Sequence, residues 1–192
     1  FLRFLSSIIL LPIILFLIYK GTFYFNFFLI LILSITFKEW YSMTKNYYFF
    51  LIPGIIFLLL SFYSIYQIRT FDDLYIFYYI LFISIFTDIG GYFFGKFFKG
   101  PKLSQISPNK TYSGSLGGLI FSFIFIFFFF KFNNLQLTFY YILITFILSI
   151  VSQIGDLIIS FFKRKSKFKD TGKIIPGHGG MLDRIDGMIF VY

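Results

Sequence analysis

The chain has 192 residues, of which 58% are hydrophobic and 26% aromatic, while only 13% are charged. So much apolar surface exceeds what one water-soluble core of this length buries, which excludes an ordinary soluble domain and predicts a membrane protein. The 17 Lys and Arg outnumber the 8 Asp and Glu, which favours contact with anionic lipid headgroups. The absence of cysteine excludes disulfides and cysteine-based metal sites.

Seven apolar stretches are candidates for membrane-spanning helices, which need about 20 residues to cross the hydrocarbon layer. Their apolar runs are continuous rather than alternating, which favours helices over barrel strands. The predicted fold class is therefore all-α, a polytopic transmembrane helical bundle of about seven spans. Because the chain starts at Phe1 and the last apolar stretch stops at Tyr192, we expect a truncated chain with an incomplete last span. The stretches are approximately 4–19, 23–37, 49–66, 75–95, 115–132, 138–162 and one beginning near 181.

The distribution of cations predicts the orientation of these spans. With the N-terminus in the cytoplasm, 14 of the 17 Lys and Arg fall on the cytoplasmic side, and only Lys20, Arg69 and Lys131 fall on the other. Such an excess follows the positive-inside rule. Topology and lipid contact explain isolated cations such as Lys38 and Lys45, but they explain less well the dense loops 96–114 and 163–180.

Two carboxylates lie within apolar stretches, Asp88 in TDIGGYFFGK and Asp156 in SQIGDLIISFFKR. A carboxylate in the membrane costs several kcal/mol unless a cation, a proton partner or a polar cavity receives it. Both are therefore candidate site residues, although a position near the interface or a structural pair with a lysine would also explain them. The nearby Gly90, Gly91 and Gly95 would allow a helix or a ligand to approach the backbone closely.

The loop at 96–118 reads KFFKGPKLSQISPNKTYSGSLGG and leads into the next helix near Ser115. Backbone N–H groups at a helix N-terminus, with Lys110, Thr111 and Ser113 beside them, suit a phosphate. The spacing of a Walker A loop is absent. An ordinary capped loop is the alternative explanation.

Residues 160–186 read SFFKRKSKFKDTGKIIPGHGGMLDRID and combine three features. A basic run from Lys163 to Lys173 can hold phosphates, and the turn PGHGG brings backbone close to a ligand. Asp183 and Asp186, three residues apart, share one helix face. Together with Asp156 they predict a Mg²⁺ site, because magnesium takes one or two carboxylates and completes its shell with water and phosphate oxygens.

This segment resembles, in order and spacing, the signature of the phosphatidate cytidylyltransferase (CDP-diacylglycerol synthase) family. Residues 88–96, 106–118 and 152–156 are also similar to that family, so the resemblance covers roughly residues 80–190. The first three spans resemble it only in being hydrophobic. One departure is Ser113, which stands where the family usually has Glu, so no acidic role is expected there. The matching positions are Ser160, Lys163, Arg164, Lys169, Asp170, Gly172, Ile175, Pro176, His178, Gly179, Gly180, Asp183, Arg184, Ile185 and Asp186.

The resemblance implies transfer of a cytidylyl group from CTP to phosphatidic acid, giving CDP-diacylglycerol and pyrophosphate. It divides the chain into N-terminal transmembrane helices, residues 1–74, and a catalytic transmembrane region, residues 75–192. Asp156, Asp183 and Asp186 would be catalytic and would hold Mg²⁺, with a second cation as an option. The implied substrate-binding residues are Asp88, Lys110, Thr111, Ser113, Lys163, Arg164, His178, Gly179, Gly180 and Arg184.

The expected location is the bacterial inner membrane, with the active site on the cytoplasmic face. The expected partners are CTP, phosphatidic acid and membrane lipid, with a homodimer as an option and no nucleic acid. A transporter or channel for an anion is the main alternative, because intramembrane aspartates and glycine-interrupted helices suit one. A CDP-alcohol phosphotransferase is disfavoured because Asp186-Gly187 is followed by Met188-Ile189 rather than by xxAR. A structural scaffold would not need the dense charged signature.

Overall fold

The computed structural model describes residues 12–71, 73–172 and 179–192. These residues are mostly helical, with an isolated antiparallel bridge between Lys102 and Thr111. Residues 12–20 are helical and precede the helices labelled here. The labelled helices are α1 Thr22–Thr44, α2 Tyr48–Phe71, α3 Leu74–Phe98, α4 Tyr112–Phe132, α5 Phe139–Lys165, α6 Leu182–Ile185 and α7 Met188–Val191.

The all-helical prediction is confirmed, since 79% of the structure is helix and the described residues contain no strand. Within the described residues, five helices, α1 to α5, are long and apolar enough to cross a membrane. The predicted count of about seven spans is not confirmed. The first predicted span, 4–19, begins outside the described residues. The apolar stretch beginning near 181 contains two four-residue helices, joined at Asp186 and Gly187 by backbone of helical geometry.

Local sequence explains where these helices begin and end. Helix α4 begins at Tyr112 because Thr111 caps it, its Oγ1 accepting a hydrogen bond from the Gly114 N–H at 3.1 Å. Helix α1 continues to Thr44, past the predicted end at residue 37. Lys38 and Glu39 lower the local hydropathy there, but both residues are good helix formers, so the helix persists.

The described residues group into two compact units. The first unit contains the chain up to Phe77, then Phe162–Phe190 and Tyr192. Trp40 of α1 is buried in this unit, where its ring meets Phe162 edge-to-face at 4.9 Å and its Nε1 donates to the Leu51 carbonyl at 3.3 Å. A Cβ at Gly54 would lie 2.1 Å from the indole, so glycine at this position makes room for the ring.

The second unit contains Tyr78–Phe161 and Val191. Buried hydroxyls join α3 to α5, with Ser84 and Ser152 3.0 Å apart and the Thr87 hydroxyl donating to Ser149 at 2.9 Å. Small and hydroxyl residues are typical of contacts between membrane helices. Helices α3 and α4 approach at glycines, since a Cβ at Gly90 would lie 2.3 Å from the carbonyl oxygen of Gly117. The sequence predicted that a helix or a ligand approaches the backbone at these glycines, and the structure shows a helix there.

The predicted boundary at residue 74 separates N-terminal helices from a catalytic region by their function, and it stays a prediction. The structural grouping follows a different line, because the charged segment Phe162–Phe190 packs in the same unit as the first helices.

Candidate active site

Lys163 and Asp183, both predicted site residues, form an ion pair in the first unit. The Lys163 Nζ donates to the Asp183 Oδ1 at 2.8 Å, and their side chains are only 13% and 5% exposed. Lys163 lies in the last turn of α5, and Asp183 lies in the first turn of α6. Lys163 was predicted to bind phosphate and Asp183 to hold a metal ion, and both roles stay predictions. The structure shows that the two groups form an ion pair with each other.

The second oxygen of Asp183 is also engaged. Its Oδ2 accepts hydrogen bonds from the backbone N–H of Thr171 at 2.8 Å and of Gly180 at 3.1 Å. Burial raises the pKa of this carboxyl, but the Lys163 ammonium and the two N–H groups outweigh burial and hold it below its usual value of 3.8. Asp183 is therefore a charged acceptor with three donors.

Glu39 of α1 is a buried carboxylate that the sequence reasoning missed. It is 4% exposed, and its Oε2 accepts from the Thr171 hydroxyl and the Leu182 N–H, both at 2.8 Å. Its Oε1 accepts from the Met181 N–H at 3.0 Å. Glu39 is the single glutamate in the chain and stands at the end of an apolar stretch, which is the signal that could have identified it.

Two glycines of the signature leave room for Glu39. A Cβ at Gly172 would lie 2.5 Å from its Oε1, and a Cβ at Gly180 would lie 2.6 Å from its Oε2. The Cβ at Gly180 would also lie 2.0 Å from the Thr171 hydroxyl. Gly179 has a φ of +86°, a backbone conformation that favours glycine. Packing thus requires Gly180, whatever its role towards a substrate.

Lys110 and Asp156, which were also predicted, form an ion pair in the second unit. The Lys110 Nζ contacts the Asp156 Oδ2, and the side chains are 25% and 26% exposed. Within the part of the chain that the structure describes, the Asp156 Oδ1 has no hydrogen-bond partner. This pair is therefore more open to solvent and has an oxygen available for a ligand.

The hydroxyls beside Lys110 serve the loop that carries it. The Ser113 hydroxyl donates to the Lys99 carbonyl and lies 2.9 Å from the Thr111 hydroxyl. Ser115 and Gln153 are hydrogen-bonded to each other, which joins the first turn of α4 to α5. The predicted phosphate-binding hydroxyls thus stabilise the start of α4.

The remaining predicted residues differ in exposure. Arg164, Arg184 and Asp88 are exposed, whereas Asp186 is 9% exposed and its Oδ1 accepts from the Gly187 N–H at 3.0 Å. His178 lies outside the described residues.

The donor chemistry fits a magnesium ion better at Asp156 than at Asp183. A carboxylate oxygen without a partner is what Mg²⁺ takes, together with water and phosphate oxygens. The oxygens of Asp183 already accept three hydrogen bonds. Among the residues described, no group of three or more His, Cys, Asp or Glu could hold a metal. These residues alone therefore do not form a complete cage for a metal ion, and an ion at Asp156 would need further ligands such as water.

Comparison with known sequences identifies the family. Residues 46–192 match the profile of the cytidylyltransferase family. This chain belongs to the cytidylyltransferase family. The match includes both lysine–aspartate pairs and the segment at 160–186, so the resemblance stated from those residues is confirmed.

Curated relatives carry the name phosphatidate cytidylyltransferase. A protein of Staphylococcus haemolyticus is 45% identical over 122 residues, covering 62% of this chain and 47% of the relative. One of Staphylococcus aureus is 42% identical over 134 residues, covering 69% and 51%. One of Rickettsia felis is 37% identical over 204 residues, covering 98% and 87%. The chain thus spans about half the length of the two staphylococcal proteins.

Proposed function

We propose that this protein is an integral membrane phosphatidate cytidylyltransferase, which converts CTP and phosphatidic acid into CDP-diacylglycerol and pyrophosphate. The observation that carries the proposal is the family match over residues 46–192 together with the shared name of the relatives. Five apolar helices suit an enzyme whose second substrate is a lipid. By the distribution of Lys and Arg, we propose that the site faces the cytoplasm of a bacterial cell, where CTP is available. A second copy of the chain stays a candidate partner.

The reaction needs alignment and charge neutralisation more than proton transfer. A phosphate oxygen of phosphatidate attacks the α-phosphorus of CTP in line, forming a new P–O bond while the bond to the β-phosphate oxygen breaks. Pyrophosphate leaves with that electron pair. No strong general base is required, since phosphatidate is already ionised near neutral pH. Both reactants are anions, so the protein must supply positive charge.

Cationic side chains supply that charge in our proposal. Lys110 is partly exposed, and Arg164 and Arg184 are exposed, so each side chain is accessible from outside its unit. Lys163 is held by Asp183 and would act from a fixed position. Arginine offers two parallel donors to a phosphate, whereas lysine acts as a point charge.

Asp156 is the carboxylate that we propose for Mg²⁺, because one of its oxygens is open. A bound magnesium ion would neutralise charge on the triphosphate and favour the departure of pyrophosphate. Asp183 and Asp186 stay predicted ligands, and a second cation stays an option. For Asp183, ligation would require sharing an oxygen that now accepts a hydrogen bond.

The direct test is formation of labelled lipid. Membranes containing the protein are incubated with radiolabelled CTP and phosphatidic acid, with Mg²⁺ or with a chelator. We expect labelled CDP-diacylglycerol and equimolar pyrophosphate only with Mg²⁺. Absence of labelled lipid from protein that is inserted and folded would overturn the proposal. Uptake of an anion into vesicles without CTP would support the transporter alternative instead.

A further inference from the structure

Glu39 is a buried carboxylate that the proposed chemistry does not use. It lies in a membrane helix and is 4% exposed, and within the described residues its partners are hydrogen-bond donors rather than a cation. A buried carboxylate is costly unless its oxygens are satisfied. These three hydrogen bonds satisfy it, and all three come from the segment that carries the signature.

The hydrogen-bond donors to Glu39 are connected to Asp183 in two ways. Met181 and Leu182 immediately precede Asp183, and their N–H groups point to Glu39. Thr171 donates its hydroxyl to Glu39 and its N–H to the Asp183 Oδ2. Glu39 therefore restrains the backbone before Asp183 as well as a residue that bonds the Asp183 carboxylate.

The same restraint extends to Lys163, because its ammonium bonds the other Asp183 oxygen at 2.8 Å. A displacement of Asp183 would thus also move the carboxylate that holds the Lys163 ammonium in place. The close approach of Gly172 and Gly180 to Glu39 shows that the arrangement has no space for side chains at those positions.

We propose that Glu39 is a positioning residue: its carboxylate orients Asp183 and Lys163 by holding Thr171, Met181 and Leu182. The consequence for catalysis rests on the proposed function. Supporting residues of this kind raise kcat by holding charged groups where charge develops, and their loss costs about 10- to 100-fold in activity.

Glu39→Gln is the most direct test of this positioning role. The amide keeps the volume but has one acceptor oxygen instead of two. If its NH₂ replaces Oε1 it faces the Met181 N–H, and if it replaces Oε2 it faces the Leu182 N–H. Either orientation places two donors against each other. Thr171→Val removes only the hydroxyl bond, while Thr171→Ser restores a hydroxyl donor.

Thr36→Val provides the matched control. Thr36 is fully buried in the same helix α1, but its hydroxyl bonds only the Ile32 and Leu33 carbonyls of that helix. Each variant is purified in detergent and compared with wild type by kcat, by KM for CTP and by amide hydrogen exchange at residues 179–185. A merely destabilised protein would lose active molecules, whereas a positioning defect changes kcat per folded molecule.

We expect Glu39→Gln to lower kcat about 10- to 100-fold, with a smaller change in KM, and to speed exchange at Met181 and Leu182. Thr171→Val should lower kcat less, Thr171→Ser should recover it, and Thr36→Val should match wild type. Wild-type kcat or unchanged exchange in folded Glu39→Gln would overturn the inference. If wild type makes no CDP-diacylglycerol, the proposed function fails, and the exchange measurement still decides whether Glu39 positions this segment.

Discussion

The two lysine–aspartate pairs of this chain differ in what surrounds them. Asp183 is 5% exposed and accepts two backbone hydrogen bonds besides its bond to Lys163. Asp156 is 26% exposed and is paired with Lys110 alone among the described residues. The same two residue types therefore make a buried ion pair in one unit and a more exposed ion pair in the other.

This difference has an energetic consequence. Removing one partner of a buried pair leaves an uncompensated charge, whereas removing one partner of an exposed pair leaves a charge that water solvates. Substitution of Asp183 should therefore affect folding and activity together. Substitution of Asp156 should affect activity alone.

The largest expected effect comes from Asp183→Asn. It leaves Lys163 buried without its carboxylate, which should cost about 3–5 kcal/mol of unfolding free energy and abolish CDP-diacylglycerol formation. Membrane insertion should persist, because the five apolar helices are unchanged. Unfolding in detergent measures the free energy, and protease protection in membranes measures insertion.

A second substitution separates charge from packing at that pair. Lys163→Met combined with Asp183→Asn removes both charges and should regain much of the lost stability, but not the activity. Equal stability of Asp183→Asn and wild type would contradict the buried pair.

Asp156→Asn should reduce activity by a factor on the order of 10²–10³, through loss of the proposed magnesium ligand. The unfolding free energy should change by less than about 1 kcal/mol, because Lys110 remains partly solvated. Titration of Mg²⁺ in the assay checks the role, since the variant should need more Mg²⁺ for half-maximal activity. An unchanged Mg²⁺ dependence together with normal activity would exclude Asp156 as a ligand.

Gly180→Ala tests the close packing that surrounds Asp183. The added Cβ would lie 2.0 Å from the Thr171 hydroxyl and 2.6 Å from the Gly172 backbone nitrogen, so the backbone must shift, at a cost of about 1–3 kcal/mol. Gly91→Ala is the control, since a Cβ there meets the Gly114 carbonyl oxygen at 3.6 Å, an ordinary contact. Thermal unfolding should show a loss for Gly180→Ala and little change for Gly91→Ala. Equal midpoints for the two variants would argue against the packing.

Much of the fold follows from hydropathy, since the predicted starts of five helices lie within three residues of the observed ones. A membrane span is a local property of about 20 residues, so a window detects it. The ends were less accurate where polar residues continue a helix, as at Lys38 and Glu39. The final apolar stretch was predicted to begin another span, but it contains two helices of four residues each, α6 and α7.

The site residues were predictable as residue types, but which residue pairs with which was not. Lys163 and Asp183 were both chosen from the signature, yet nothing local indicates that one bonds the other. Glu39 was missed because its partner Thr171 is 132 residues away. Contacts of that separation depend on how helices pack, which a linear pattern of charges and apolar residues does not encode.

The smallest expected effect is on the pH dependence of stability. The folded-state pKa of Asp183 is lower than its usual value of 3.8, because Lys163 and the Thr171 and Gly180 N–H groups outweigh burial. The unfolded chain therefore binds a proton first as pH falls, so this carboxyl contributes stability that is fully present above pH 4 or so. The contribution is lost as pH falls further, through the lowered pKa.

The measurement is the unfolding midpoint of wild type minus that of Asp183→Asn between about pH 3 and 7. The difference should be constant near neutral pH and shrink at the acidic end, where Asp183 becomes protonated in the folded protein. Asp156→Asn serves as the control, because the pair that it breaks is partly exposed and lacks the backbone donors that surround Asp183. A difference that grows on acidification would mean that the folded protein stabilises the neutral form of Asp183, contrary to the hydrogen bonds that it accepts.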